Sequence, residues 1–320
     1  MSEAGGRVVT LGETMALLDP LEDGEIAPGF RFRLRIAGAE SNFAVALRRL
    51  GVDVTWVSRL GEDPFGDLVL GTLAGEGLDL RFVRRDADAP TGVFFKWRAG
   101  GRSHVVYYRR GSAASRLGPG DVPEEAWANV ALVHLTGITT ALSEGARGLV
   151  AETARRARER GITVVFDPNY RPALWPGPAE AAAAHREILA DVDWYLCGHG
   201  EGSLLFGADT ADELAAAVHE AGAPGAVIRI AERGCTVSRG DGLVHVPPPR
   251  LTGVVDEIGA GDGFAAGFAY GLLRGWTPDA CAHAGNVIAA AALGGTGDWE
   301  TFPRLAEVES ELQPTTEGAR

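Results

Sequence analysis

The residues best suited to do chemistry lie together at Gly259-Ala260-Gly261-Asp262, a glycine-rich turn that runs straight into an apolar stretch. From Asp262 to Arg274 the large apolar residues Phe264, Phe268 and Leu272 fall four apart, with Ala265, Ala269 and Leu273 beside them. That spacing predicts a helix over 261–274 with one buried face. The turn is then a helix N-terminus, where several backbone N–H groups lack partners and carry partial positive charge. Glycines let a phosphate approach such a backbone closely, so the turn can hold an anion. Asp262 stands in the first helical turn, where an acidic residue also serves as an ordinary cap. Four residues of this kind fit many helix starts, and their meaning rests on what accompanies them.

The elements that must position this turn alternate along the chain. Arg7 to Leu11 reads as a strand ending at Gly12, Ala39 to Leu50 has helical spacing stopped by Gly51, and Val54 to Ser58, Pro64 to Gly75 and Leu80 to Arg84 follow as strand, helix and strand. The rhythm resumes with strand 132–135, helix 144–160, strand 162–166, a helix opened by Pro176 and Pro178, and the strand at Trp194-Tyr195-Leu196. Strands at 225–230, 235–238 and 243–246 precede the turn, and a second helix near 278–293 follows it. Such βαβ alternation predicts an α/β fold, a mainly parallel sheet with helices on both faces. Two segments break it. Met15 to Leu18 with Phe30 to Ile36, and Thr91 to Trp97 with Ser103 to Arg109, read as short strands with no helix between them, the second pair joined by a hairpin loop at 98–102. They predict a separate small sheet, placed as a lid in segments 14–36 and 91–109. The body is expected to span 1–313, with a frayed tail at 314–320.

Composition narrows the partners. Of 320 residues, 46% are hydrophobic, enough for a large core, and the formal net charge is −13. That charge opposes broad contact with nucleic acid or an anionic membrane surface, so the substrate is expected to be small. An anionic ligand must be held by local positive charge against the overall field. Cys197, Cys235 and Cys281 fit no metal-ligand or CxxC spacing and read as core thiols. The N-terminus has no basic region followed by an apolar run, and the expectation is a cytoplasmic protein.

Four further motifs join the opening one. Ala37-Gly38-Ala39-Glu40-Ser41-Asn42-Phe43 with Arg49-Leu50-Gly51, then Arg59-Leu60-Gly61-Glu62-Asp63-Pro64-Phe65-Gly66, then Tyr107-Tyr108-Arg109 with Gly111-Ser112-Ala113-Ala114-Ser115, and His134-Leu135-Thr136-Gly137-Ile138-Thr139 ahead of Asp167-Pro168-Asn169-Tyr170-Arg171-Pro172-Ala173-Leu174-Trp175 stand in order before the turn. Together these resemble the ribokinase-like (PfkB) carbohydrate kinases over nearly the whole chain, and within them most closely the 2-keto-3-deoxygluconate kinases.

The resemblance implies a ribokinase-like fold and transfer of a phosphoryl group from ATP, with Mg²⁺, to a primary hydroxyl of a sugar or sugar acid. Fructose or another neutral sugar is the alternative acceptor, and a non-catalytic sugar-binding regulator is the alternative of another class. It implies that the amides of Gly259, Ala260 and Gly261 face the transferring group and that Asp262 takes the hydroxyl proton. Gly38, Asn42, Phe94, Tyr107, Arg109, Ile138 and Arg171 would bind the acceptor, with Arg109 and Arg171 reading a carboxylate. Gly234 and Asn286 would flank the nucleotide, Glu201 would order Mg²⁺ through water, and Asp256 would hold a monovalent cation such as K⁺. A homodimer or higher homo-oligomer is implied through the lid. Ala37 replaces a usual glycine, Phe94 a usual tyrosine, and Gly198-His199-Gly200-Glu201 keeps only the glutamate of an Asn-x-x-Glu pattern. His134, in an apolar strand, is expected to be a core residue.

Overall fold

The computed structural model describes residues 6–240, 242–249 and 258–312. Thirteen strands are placed among them: β1 Arg7–Leu11, β2 Met15–Pro20, β3 Phe32–Ala37, β4 Val54–Gly61, β5 Val83–Asp86, β6 Val93–Ala99, β7 Arg102–Tyr108, β8 Val130–Thr136, β9 Thr163–Asp167, β10 Trp194–Gly198, β11 Gly225–Arg229, β12 Cys235–Arg239 and β13 Gly242–Val246. The helices are α1 Ala39–Arg49, α2 Pro64–Gly75, α3 Gly137–Leu142, α4 Glu144–Glu159, α5 Pro178–Leu189, α6 His199–Phe206, α7 Ala211–Glu220, α8 Ala260–Leu273, α9 Pro278–Ala292 and α10 Leu305–Val308.

Nine strands form one sheet in the order β13-β12-β11-β10-β9-β8-β1-β4-β5, parallel from β11 to β5 and closed at the other edge by antiparallel β12 and β13. Its central strands are mostly apolar, as burial on both faces favours: Val164, Val165 and Phe166 of β9 and Trp194 to Cys197 of β10 are all buried. One face packs on α1, α8 and α9 through Phe43, Leu47, Phe264 and Phe268, and the other on α4 and α7 through Leu149, Val150, Leu214 and Val218. The three cysteines are buried free thiols.

The strands that broke the alternation form the expected second sheet, in the order β3-β2-β6-β7. Two hairpins meet along a parallel β2–β6 seam, and Gly100 and Gly101 turn the second hairpin with φ of +56° and +73°. Its registers sort the side chains into two faces. Arg35, Leu17, Phe94 and Tyr107 lie in one row across the four strands; Leu34, Leu18, Phe95 and Val106 lie in the next and point the other way.

Four helices were not legible in sequence: α3, α6, α7 and α10. Helix α6 opens His199-Gly200-Glu201-Gly202, a poor helix former by propensity. Tertiary burial of Leu205 and the Glu201 carboxylate reaching back to the Gly198 N–H at 2.9 Å hold it. The strand expected at Leu80 to Arg84 runs instead over Val83–Asp86, because Asp79 is taken by an isolated bridge to Thr55 and Leu80 closes a turn onto Val83.

Candidate active site

Helix α8 starts on the predicted turn. Gly259 caps it in the left-handed region at φ +82°, and a Cβ there would lie 2.0 Å from the Asp298 carbonyl oxygen, so only glycine fits. The Gly263 N–H donates to the Gly259 carbonyl at 2.9 Å, which leaves the amides before it without an intrahelical partner. These are the donors an anion would use. The donor set therefore fits a phosphoryl group.

Asp262 lies in the first turn of the helix and is held by two side-chain amides: Asn42 Nδ2 donates to Oδ2 at 2.8 Å and Asn169 Nδ2 to Oδ1 at 3.3 Å. Burial raises its pKa to about 7; the Asn42 bond opposes the rise, Asp167 adds to it, and Arg171 works against it. A carboxylate poised near neutrality is suited to take a proton.

Beneath the turn lies a network of charges. Arg229, at the end of β11, donates to Asp167 at 2.8 and 3.3 Å, to the Gly261 carbonyl at 3.2 Å, and sits 3.8 Å from Glu201. Glu201 accepts from the backbone N–H groups of Tyr170 and Gly198. Burial raises the Glu201 pKa, Asp167 reinforces this, and Arg229 opposes it. Both of its oxygens are already engaged, so an ion ordered by Glu201 fits best through intervening water, which suits Mg²⁺.

A cleft of about 560 Å³ opens between the turn and the lid. It is lined by Gly38, Asn42, Phe94, Tyr107, Arg109, Ile138, Arg171, Glu201, Gly259, Gly261 and Asp262, so residues 224 positions apart in sequence share one cavity. Gly38 has no room for a side chain, since a Cβ would lie 2.3 Å from the Glu13 carbonyl. Phe94 stacks on Tyr107 with ring centroids 5.3 Å apart. Arg109 and Arg171 meet here, but in different states. Arg109 is bound to the buried Glu13 carboxylate at 2.7 Å and 2.5 Å. Arg171 is exposed and has no carboxylate within ion-pair distance among the described residues.

Gly234 and Asn286 lie outside this cleft and meet each other's neighbours. Gly234, at φ +82°, presses on the Val246 carbonyl, and Asn286 Nδ2 donates to the carbonyls of Val246 and Pro247 at 3.2 Å each. They fix the chain as it leaves β13. Asp256 lies outside the described residues. His134 is buried, stacked on Phe43 at 3.8 Å and bonded to Thr10, and burial lowers its pKa to about 3, which keeps it a neutral core residue.

Sequence reasoning missed four contributors: Glu13, Asn169, Arg229 and Lys96. The signal for Arg229 was present, a charged residue closing an otherwise apolar strand. Asn169 adopts φ +38°, which aims its amide at Asp262, and nothing in the sequence marked that conformation.

Comparison with known proteins agrees with this fold. The model of the pfkB family carbohydrate kinases matches residues 6–304. A 2-dehydro-3-deoxygluconokinase of Bacillus subtilis is 35% identical over 306 residues, covering 95% of this chain and 94% of its own. The crystal structure of a PfkB protein from Polaromonas sp. JS666 superposes with a TM-score of 0.87 at 34% identity, covering 96% of this chain and 100% of that one. An Escherichia coli protein designated ribokinase II, solved in complex with ATP and Mg²⁺, gives a TM-score of 0.86 at 25% identity, covering 96% and 99%.

Proposed function

The chain belongs to the pfkB family of carbohydrate kinases, and from that premise we propose that its acceptor is 2-keto-3-deoxygluconate, phosphorylated by ATP at the terminal primary hydroxyl to give the 6-phosphate. The observation that carries this is Arg171, an unpaired guanidinium lining the same cleft as an Asp262 tuned to about pH 7. A guanidinium offers paired donors in a planar fork that matches a carboxylate, and a protein of net charge −13 needs such a local cation to hold an acid. The B. subtilis relative, named for this substrate, supports the choice.

In the transfer step Asp262 accepts the proton of the acceptor hydroxyl as that oxygen bonds to the γ-phosphorus of ATP. The bond from phosphorus to the bridging oxygen breaks, and ADP leaves with the electron pair. Charge on the transferring oxygens is met by the amides of the Gly259–Gly261 turn, and Asn42 and Asn169 hold the carboxylate in place. Mg²⁺, when bound, neutralises phosphate charge, and Glu201 is the residue that would order it through water. The lid, segments 14–36 and 91–109, closes over the acceptor and excludes water.

A neutral sugar such as fructose is the second reading, favoured by one observation: Glu13 already neutralises Arg109. A non-catalytic regulator is disfavoured by an intact turn and a poised Asp262. The outward row of the lid, with Leu34 and Val106 at 48% and 40% exposure beside Tyr108 at 66%, is the surface on which a second copy would pair. Among the described residues no helix is long and apolar enough to cross a membrane, and a cytoplasmic place is part of this reading.

One coupled assay tests it: ADP release with Mg-ATP and 2-keto-3-deoxygluconate, fructose or ribose. The acid should give the highest kcat/KM. Preference for fructose would replace this reading with the second, and no turnover with any sugar would restore the regulator.

A further inference from the structure

Three of the contacts that tie the lid to the body fall on residues 298–300. Lys96 of β6 forms an ion pair with Asp298, their side chains 16% and 8% exposed. Arg35 of β3 donates to Glu300 at 2.5 Å, and the indole N–H of Trp299 donates to the Ile36 carbonyl at 3.0 Å. The same segment is fastened to the body by Arg49 of α1, which donates to the carbonyls of Trp299, Glu300 and Phe302 at 3.3, 3.1 and 2.8 Å. It also lies directly against the turn, since Gly259 rests on the Asp298 carbonyl with no space for a methyl group between them. One residue thus meets the lid through its side chain and the turn through its backbone.

Lys96 is on the cleft face of the lid, two residues from Phe94, and both Lys96 and Asp298 line the cleft with Gly259 and Asp262. An ion pair this shielded from water is costly to leave half made, so it favours one arrangement of lid and segment over looser ones.

We propose that Lys96 is a positioning residue for the transfer step: by its pair with Asp298 it locks the lid onto the segment under the turn, so that closing the cleft and aligning the turn are one event. This rests on the assignment of the turn as the phosphoryl site. Without the lock, the turn still binds the nucleotide and Asp262 keeps its amides. What is lost is the exclusion of water while the γ-phosphoryl group is exposed, so water competes with the acceptor hydroxyl for the same phosphorus.

The test is Lys96→Met, Lys96→Arg, Asp298→Asn and the double variant Lys96→Met/Asp298→Asn, with ADP and phosphorylated acceptor measured separately. Lys96→Met should lower kcat for transfer by about tenfold, with acceptor KM changed by less than about threefold, and raise the share of ATP hydrolysed without acceptor phosphorylation. Lys96→Arg should restore coupling, and the double variant should be no worse than Asp298→Asn alone, the non-additivity expected of a pair acting as a unit. Native kcat with native coupling in Lys96→Met, or strictly additive losses in the double variant, would overturn the proposal. If Lys96→Met does not fold, Asp298→Asn and Lys96→Arg read the same coupling ratio, and an unchanged ratio in Asp298→Asn overturns it equally. Failure of the parent assignment shows separately, as a turnover in Asp262→Asn close to native.

Discussion

The two ends of the cleft are built on opposite principles. At the transfer end each charged group is answered: Asp167 and Glu201 by Arg229, Asp262 by two amides, and the whole sits under a turn whose Gly259 admits no side chain. At the acceptor end one arginine is answered by Glu13 and the other is not. A saturated network holds atoms in place, which suits chemistry that depends on alignment. An unpaired cation at the surface costs little to keep and gains most when a ligand supplies its partner. On the proposed reading the transfer end serves the reaction common to the family, and the acceptor end the choice of sugar.

The largest effect should come from breaking the transfer end. Asp262→Asn removes the proton acceptor while keeping the shape, and should lower kcat by about 10²-fold or more with acceptor KM little changed. The pH profile gives the same group a second reading. Since the ionised form is the active one and its pKa lies at about 7, kcat/KM should be flat in the alkaline range. It should fall about tenfold per pH unit on the acid side, through that pKa. A profile flat across neutrality would remove Asp262 from the role.

The acceptor end should respond more weakly and more selectively. Arg171→Ala should raise KM for a sugar acid by about tenfold, the loss expected for a charged hydrogen bond of about 1.5–3 kcal/mol, and leave a neutral sugar of similar size nearly unchanged. Arg109→Ala is the contrasting case. It strands the buried Glu13 carboxylate, so it should weaken acids and neutral sugars together and lower thermal stability as well. Equal losses for both kinds of sugar in Arg171→Ala would mean that the two arginines do not differ as their partners imply.

The same contrast explains what was legible in the sequence. The turn, α8 and its register, the lid hairpins and the parallel core all follow from local spacing, because glycine at a left-handed cap and apolar residues four apart speak for themselves. The residues proposed for the acceptor stand in motifs and line the cleft, yet nothing in Tyr107-Tyr108-Arg109 disclosed that Glu13, 96 residues away, would bind the arginine. Asn169 lies within the 167–175 run, but its bond to Asp262 depends on a backbone angle that asparagine tolerates but does not announce. Lys96 and Asp298 are 202 residues apart and belong to no motif at all. Local propensity is written residue by residue; partners across the cleft are decided by how the lid lands on the body.

The smallest effect tests the transfer end through stability rather than rate. Asp262 ionises at about 7 in the folded protein, against an ordinary value of 3.8. Between those limits the folded state carries a proton that the unfolded chain has released, so from this group stability falls as pH rises, and the penalty is complete once pH passes about 7. An amide at 262 carries no such penalty. It does disturb one of the two bonds from Asn42 and Asn169, but a protonated Asp262 also presents a hydrogen to one of them, so the low-pH comparison removes much of that cost. The informative quantity is thus the change with pH and not the absolute Tm. Relative to the native protein, Asp262→Asn should gain about 2–4 °C in Tm between about pH 5.5 and pH 8, measured by thermal unfolding without ligands. As pH rises the variant that loses the reaction thus gains stability relative to the native protein, as expected where a carboxylate is kept buried for its basicity. A difference in Tm that stays constant across this range would mean that Asp262 ionises at its ordinary value, and that the burial around the turn does not tune it.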